Sequence, residues 1–385
     1  MTMPPINDPA TDLVFADGAL VASSEIREVR SRSYMGLVWR RFRRHRLGLV
    51  GAVLVALIML TAIFASVLAP YDPYQRDGKS IYLPPQRLHV FADDGFHPLP
   101  FTNPVKLDLD PDTYELVPTI DTATRCSVSV FGKGWTYSFF GIRTDRHLFA
   151  PAPDCGWHVL GTDRDGRDML SRLLIGSRLT LLMAAVVVTI SVIIGTLVGM
   201  VSGYFRGAVD HWLQRIVEFI LALPELPFYF ALVVIIPRNA DPFRVFLALV
   251  GILSVMKWAQ LAREVRGKTL SVASLDYIVA AEAVGTRTPR IVLRHILPNV
   301  LSHVVVATTL MIPSIVLLES FLSFLGIGVR APLVSWGLLL NAASDLQNLG
   351  SYPWVLTPVV AILITVMGFN MLGDGLRDAI DPYQN

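Results

Sequence analysis

The sequence predicts an all-α polytopic membrane protein of about six transmembrane helices, with a small β-containing extracytoplasmic insert. Three observations predict it. Of 385 residues, 53% are hydrophobic and 17% charged, against about 25% charged in an ordinary soluble domain. Six apolar runs approach spanning length, at about 1.5 Å rise per residue across a ~30 Å hydrocarbon core. Between the first and second lies a stretch of Pro, Asp and aromatics with the period-two alternation of strands. The balance of 33 basic to 31 acidic residues gives no reason to expect a nucleic-acid partner. Two cysteines are too few for a zinc cluster or a disulfide scaffold.

The chain opens with residues 1–46, polar and acidic to about residue 26 and ending in Arg40-Arg41-Phe42-Arg43-Arg44-His45-Arg46. The first apolar run, Leu47–Ala69 (residues 47–69), is too long for the core of a cleavable leader, so it anchors the chain. The basic run beside it puts the N-terminus in the cytoplasm by the positive-inside rule, in reach of anionic membrane lipid. The other runs are Leu179–Val201, Trp212–Ile236, Phe243–Leu261, Val300–Ser323 and Trp354–Gly373, within a membrane domain at 178–385. Leu223-Pro224-Glu225-Leu226-Pro227 interrupts the third run, and the fourth is short, with Lys257 near its end. After four crossings, counting the first span, residues 257–298 return to the cytoplasm carrying Lys257, Arg263, Arg266, Lys268, Arg287, Arg290 and Arg294 against three acids. Both termini are then cytoplasmic.

Residues 70–177 fall outside the membrane in this topology. Cys126 to Phe131 and Trp135 to Phe139 alternate around Gly132-Lys133-Gly134, the signal of a β-hairpin. Cys126 and Cys155 both lie in this region. Paired, they close a loop of about 30 residues, worth roughly 3–4 kcal/mol through chain entropy; two free thiols are the other reading. Arg164, Arg167, Arg172 and Arg178 also fall outside, where alternating acids are expected to offset them.

The most informative stretch runs from Ser274 to Asn299. Ser274 reads as an N-cap with Asp276 in the first turn, and Gly285 suits a left-handed C′ position. Thr288-Pro289 restarts a second helix. Tyr277, Ala280, Ala281 and Val284 fall at i, i+3, i+4 and i+7, one apolar face whose two alanines admit close approach by another surface. A short helix of this kind, held between two spans, suits docking into a groove on a partner.

Ala280-Ala281, then Gly285, then Leu297-Pro298 resembles the EAA loop of bacterial ABC import permeases. Val279 stands where that family carries its leading glutamate, and His295 where it carries an isoleucine. Leu160-Gly161-Thr162-Asp163-Arg164-Asp165-Gly166-Arg167-Asp168 resembles an element of the same family's dipeptide, oligopeptide and nickel branch. So do Glu319 to Gly328 with Ser335-Trp336-Gly337, and Asn370 to Pro382 at the C-terminus. The resemblance covers about 157–385 plus the first span and is to the C-type permease subunit; residues 70–156 fall outside it. It implies an inner-membrane permease with no catalytic residue, metal or cofactor of its own. It also implies a homologous second permease, two ABC ATPase subunits and a periplasmic substrate-binding protein as partners. The loop at 262–298 is then the ATPase-coupling element, through Tyr277, Ala280, Ala281, Val284, Gly285, Leu297 and Pro298. Peptides are the expected substrate, with oligosaccharides, opines or nickel as alternatives within the branch. An ion-coupled secondary transporter is the competing class, but no convincing internal repeat supports it.

Other chemical readings fail on detail. Asp163-x-Asp165-Gly166-x-Asp168 has Leu174 where a calcium loop needs a bidentate glutamate. Gly267-Lys268-Thr269 follows Ala262, not the first glycine of a phosphate loop. His89, His97, His147 and His158 lack ligand spacing. Ionisable residues inside spans default to functional candidates, which singles out Glu225 and Glu319 for the translocation path. A carboxyl satisfied by neighbouring helices is the alternative for Glu225, and a packing role for Glu319.

Overall fold

A computed structural model describes residues 13–16, 19–22 and 34–380, apart from 93–94, 110, 112–115, 122–123, 140, 153–154, 238 and 345–349. Much of the acidic N-terminal stretch, and the final residues of the C-terminal signature, lie outside the described residues. A short antiparallel pair, β1 (Leu13–Ala16) and β2 (Ala19–Ala22), comes first. Then α1 (Tyr34–Phe42) leads into α2 (Arg46–Ile63) and the single turn α3 (Ala65–Leu68).

Among the described residues five helical stretches are long and apolar enough to span a membrane. They are α2, α4 (Met169–Phe205), α7 (Pro242–Ala273), the run Thr288–Phe324 and the run Pro353–Ile380. A sixth is broken: α5 (Gly207–Ala222) and α6 (Glu225–Val234) meet at 84°. The break follows from Pro224, which forces Leu223 into extended backbone and cannot continue the helix.

Two spans differ from expectation. α4 begins ten residues before Leu179 because Asp168 caps it, accepting from Ser171 N at 2.7 Å. Its first turns carry Arg172 and Arg178, which mask them in a hydropathy window. α7 begins at Pro242, capped by Asp241, and continues to Ala273, so Lys257 sits midway along it and not near its end.

α4 and α7 form the centre of the molecule. Gly195, Gly199 and Gly203 recur every fourth residue along α4. A Cβ at each would lie 2.8 Å from Trp258 O, 2.6 Å from Ala262 O and 2.9 Å from Arg266 O. Only glycine lets the two backbones approach this closely, the small-residue packing of membrane helices. One hydrophobic core gathers Val187, Leu249, Leu253, Ile315 and Leu322; another gathers Met200, Leu261, Val265, Ile278, Ile296 and Val300.

After the run Thr288–Phe324, which ends in α10 (Leu297–Phe324), come α11 (Trp336–Ala342) and α12 (Thr357–Ile380). Before α10, α8 (Asp276–Ala283) and α9 (Thr288–Ile291) are joined to it through a π turn at Val292–Ile296.

The stretch between α3 and α4 holds eight strands: β3 (His89–Ala92), β4 (Gly95–Thr102), β5 (Val105–Leu109), β6 (Leu116–Ile120), β7 (Cys126–Val130), β8 (Lys133–Phe139), β9 (Ile142–Arg146) and β10 (Phe149–Pro151). They form a four-stranded antiparallel sheet in the order β10-β7-β4-β3, with two ribbons, β5-β6 and β8-β9. The expected hairpin between β7 and β8 is not formed. β7 turns away at Phe131 to pair with β10 and β4, and β8 pairs with β9 across Gly141, whose φ of +85° suits a tight turn. Cys126 and Cys155 are joined by a disulfide. Leu148 N donates to Val67 O at 2.8 Å and Trp135 Nε1 to Ala69 O at 3.3 Å, seating this unit on the end of α2–α3.

Candidate functional site

The 37 residues of α4 make a rod of about 55 Å, and most of the motifs singled out by sequence collect at its two ends. At the N-terminal end Asp163 is nearly sealed from solvent. Its Oδ1 accepts from Asp165 N at 2.9 Å and Arg167 N at 3.0 Å, and its Oδ2 from Arg167 Nε at 2.9 Å and from Arg172. Asp168, besides capping α4, holds His158 Nδ1 at 2.9 Å. Asp163 is thus a turn organiser whose oxygens are spent on arginines and backbone. Arg167 is paired with acids as expected, but Arg178 is not: it donates to Ala62 O, Ile63 O and Ser66 Oγ, each at 2.7 Å, clamping the end of α2. The nearby Asp77 carboxyl is held below its usual range, mainly by the Ser80 hydroxyl.

The other motifs converge on the same end. Glu319 is fully buried and accepts from Ser323 Oγ at 2.8 Å and Thr180 Oγ1 at 3.3 Å. Thr180 Oγ1 accepts in turn from Trp336 N at 3.1 Å, and Trp336 Nε1 donates to Leu173 O at 3.0 Å. This latch ties α4, α10 and α11 together through a Glu319 carboxyl buried among hydroxyl donors. Trp354 Nε1 reaches Thr162 O at 3.0 Å.

At the C-terminal end of α4 stands α8. Ser274 does not cap it: Ser274 ends α7 and donates to Ser271 O, while Leu275 occupies the cap position without a side-chain bond. The exit is as expected. Gly285 has φ +77°, Thr286 N donates to Ala281 O and Gly285 N to Glu282 O, the paired bonds of a Schellman stop. Ile278 alone of α8 is buried, in the core with Val265 and Ile296. Tyr277, Ala280 and Val284 are exposed, Val284 at 83%, and Ala281 is partly covered. The Tyr277 hydroxyl accepts from Asn299 Nδ2 at 3.1 Å, tying α8 to the segment containing Leu297 and exposed Pro298. Nearby, Arg266 grips Asp210 through two bonds of 2.6 Å, locking α5 to α7.

Glu225 lies between these ends, at the α5–α6 break. Lys257 Nζ is 2.7 Å from its Oε1. Sequence reasoning named Glu225 and missed its partner. The available signal was a lysine inside one apolar run and, in the run before it, a glutamate set between two prolines. Among the described residues no group of three or more His, Cys, Asp or Glu is placed to hold a metal ion.

Residues 195–384 match the family described as binding-protein-dependent transport system inner membrane component, and residues 33–85 match the N-terminal TM domain of oligopeptide transport permease C. The oligopeptide transport system permease protein OppC of Haemophilus influenzae is 40% identical over 250 residues, covering 64% of this chain and 78% of that protein. This chain belongs to that permease family. OppC of Escherichia coli K12 is 42% identical over 241 residues, 62% of this chain and 77% of its own. The dipeptide permease DppC of Lactococcus lactis is 27% identical over 351 residues, 91% of each chain. That span is too long to leave 70–156 out, so the permease shares at least part of its insert with a relative. The permease is therefore a multi-pass inner-membrane protein of the ABC transporter type, mostly helical, with a small β insert.

Proposed function

We propose that the permease forms half of the translocation path of an ATP-driven importer of di- or oligopeptides. It works beside a homologous second permease, two ABC ATPase subunits and a periplasmic binding protein that delivers the peptide. The ATPase subunits hydrolyse the ATP, and this chain has no catalytic role. Its N- and C-termini and the 262–298 coupling loop face the cytoplasm, and the insert faces the periplasm. The names of the relatives, oligopeptide and dipeptide permeases, support peptides over nickel, opines or oligosaccharides.

The observation that carries the coupling assignment is α8, an eight-residue helix with one buried residue and an otherwise bare apolar face. Exposed apolar surface rimmed by polar groups marks a protein contact. Closure of the ATPases displaces α8, and the attached spans rock between outward and inward access. In a Val284→Cys protein, a membrane-impermeant maleimide is expected to label that cysteine in inside-out vesicles only. Gly285→Trp is expected to reach the membrane in normal amount and to abolish peptide uptake. Labelling of the cysteine in intact cells, or normal uptake by Gly285→Trp, overturns the reading.

A further inference from the structure

Glu225 and Lys257 form an ion pair inside two membrane-crossing segments. Lys257 is buried midway along α7. Tyr229, fully buried one turn after Glu225, donates its hydroxyl to Glu225 Oε1 at 3.1 Å. Oε1 therefore takes both the hydroxyl and the ammonium, and Oε2 has no partner among the described residues. The Glu225 side chain is 46% exposed, against 11% for Lys257. Lipid is a poor surrounding for a half-exposed carboxylate; ionisable groups in spans face a bundle interior or a water-filled cavity. The backbone gives the same indication, because a helix broken at membrane depth is tolerated only in protein or beside such a cavity.

We propose that Glu225 binds the N-terminal ammonium of a peptide in transit, with Lys257 as its fixed counter-ion and Tyr229 as a positioning residue. This rests on the peptide-importer reading above. The free oxygen is an acceptor, so its occupant must bring an N–H or O–H donor. The acceptor is anionic, so a cationic donor makes the shorter and stronger bond. Lys257 already presents an ammonium to the neighbouring oxygen at 2.7 Å, so this carboxylate already binds a group of that kind. An unblocked peptide carries this cation whatever its side chains, and a site that reads it tolerates varied sequences. Lys257 shares the carboxylate and keeps the arriving ammonium from being trapped, since passage needs binding that is also easily released.

The test is uptake into proteoliposomes holding the complete transporter, with trialanine or N-acetyl-trialanine at concentrations that saturate the binding protein. In Glu225→Gln the ratio of trialanine to N-acetyl-trialanine uptake is expected to fall about tenfold from its wild-type value, the worth of one charge-assisted hydrogen bond. Glu225→Asp keeps the ratio near wild type, as does Arg215→Gln, which breaks an exposed pair on α5. The ratio is internal to each preparation, so a poor yield of folded variant does not alter it. If the acetylated peptide does not enter at all, the trialanine rate decides: Gln lowers it and Asp restores it. Unchanged selectivity and rate in Glu225→Gln overturn this assignment and leave the peptide reading standing. Failure of the wild type to import either compound overturns the peptide reading and this assignment with it.

Discussion

At the N-terminal end of α4, Asp163, Arg172, His158 and Asp168 are buried and paired within the chain; at the C-terminal end, α8 buries Ile278 and leaves Tyr277, Val279 and Ala280 exposed. At the first end the carboxylates of Asp163 and Asp168 are spent on arginines, a histidine and backbone amides, as burial away from water requires. The second end is complete as a helix, with its stop formed at Gly285, but not as a surface. Helical order and surface completion are separate matters, and under the proposed coupling role the bare side of α8 is where another chain is expected to sit.

The comparison breaks most readily at Asp163. Asp163→Ala strands a buried Arg172, and removing one member of a buried pair costs about 3–5 kcal/mol. The thermal midpoint of the detergent-purified protein is expected to drop sharply; an unchanged midpoint would show that end to be loosely built. Next comes the disulfide. Replacing Cys126 and Cys155 by serine releases a loop closed across 29 positions, at about 3–4 kcal/mol by chain entropy. Limited proteolysis should then cut the insert while the spans stay intact.

Two glycines sharpen the contrast further. Gly166 and Gly285 both have positive φ, +71° and +77°, so alanine at either position carries strain of about 1–2 kcal/mol. At Gly166 the new Cβ would also lie 1.8 Å from Asp77 O, whereas nothing stands within 4 Å at Gly285. Gly166→Ala should therefore be the less stable by a further 1–3 kcal/mol, roughly the cost of overpacking; equal melting of the two variants would contradict it. The smallest effect on stability belongs to Val284→Asp, within about 0.5 kcal/mol of wild type for so exposed a site. Capture of the ATPase during co-purification should nevertheless be lost, and retention would remove α8 from the contact.

Much of the fold was legible because lipid imposes a simple rule of apolar length. The sites of failure are those where polar groups enter a span. Arg172 and Arg178 hid the first turns of α4, and Lys257 made the middle of α7 look like a span's end, because hydropathy cannot see that a charge is satisfied within the bundle. The β7 and β8 strands were legible as strands but not as partners, since period-two alternation says nothing about which edge a strand meets. Ser274 looked like a cap because caps are read from residue type, and α7 ran on far enough to absorb it. Gly285 was readable because only its backbone conformation was at issue, and few residues other than glycine meet that need. The Glu225–Lys257 pair was half readable: each charge was visible, but their meeting depends on how the broken span folds against α7.

The glycine ridge of α4 has a mechanical consequence. Where backbone rests on backbone at Gly195, Gly199 and Gly203, α4 itself has no side chain to change rotamer and absorb a displacement. The two helices behave there as a stiff strut about 12 Å long. On the coupling proposed above, a shove delivered beside Met200 and Val265 is expected to move α4 and α7 together over that length.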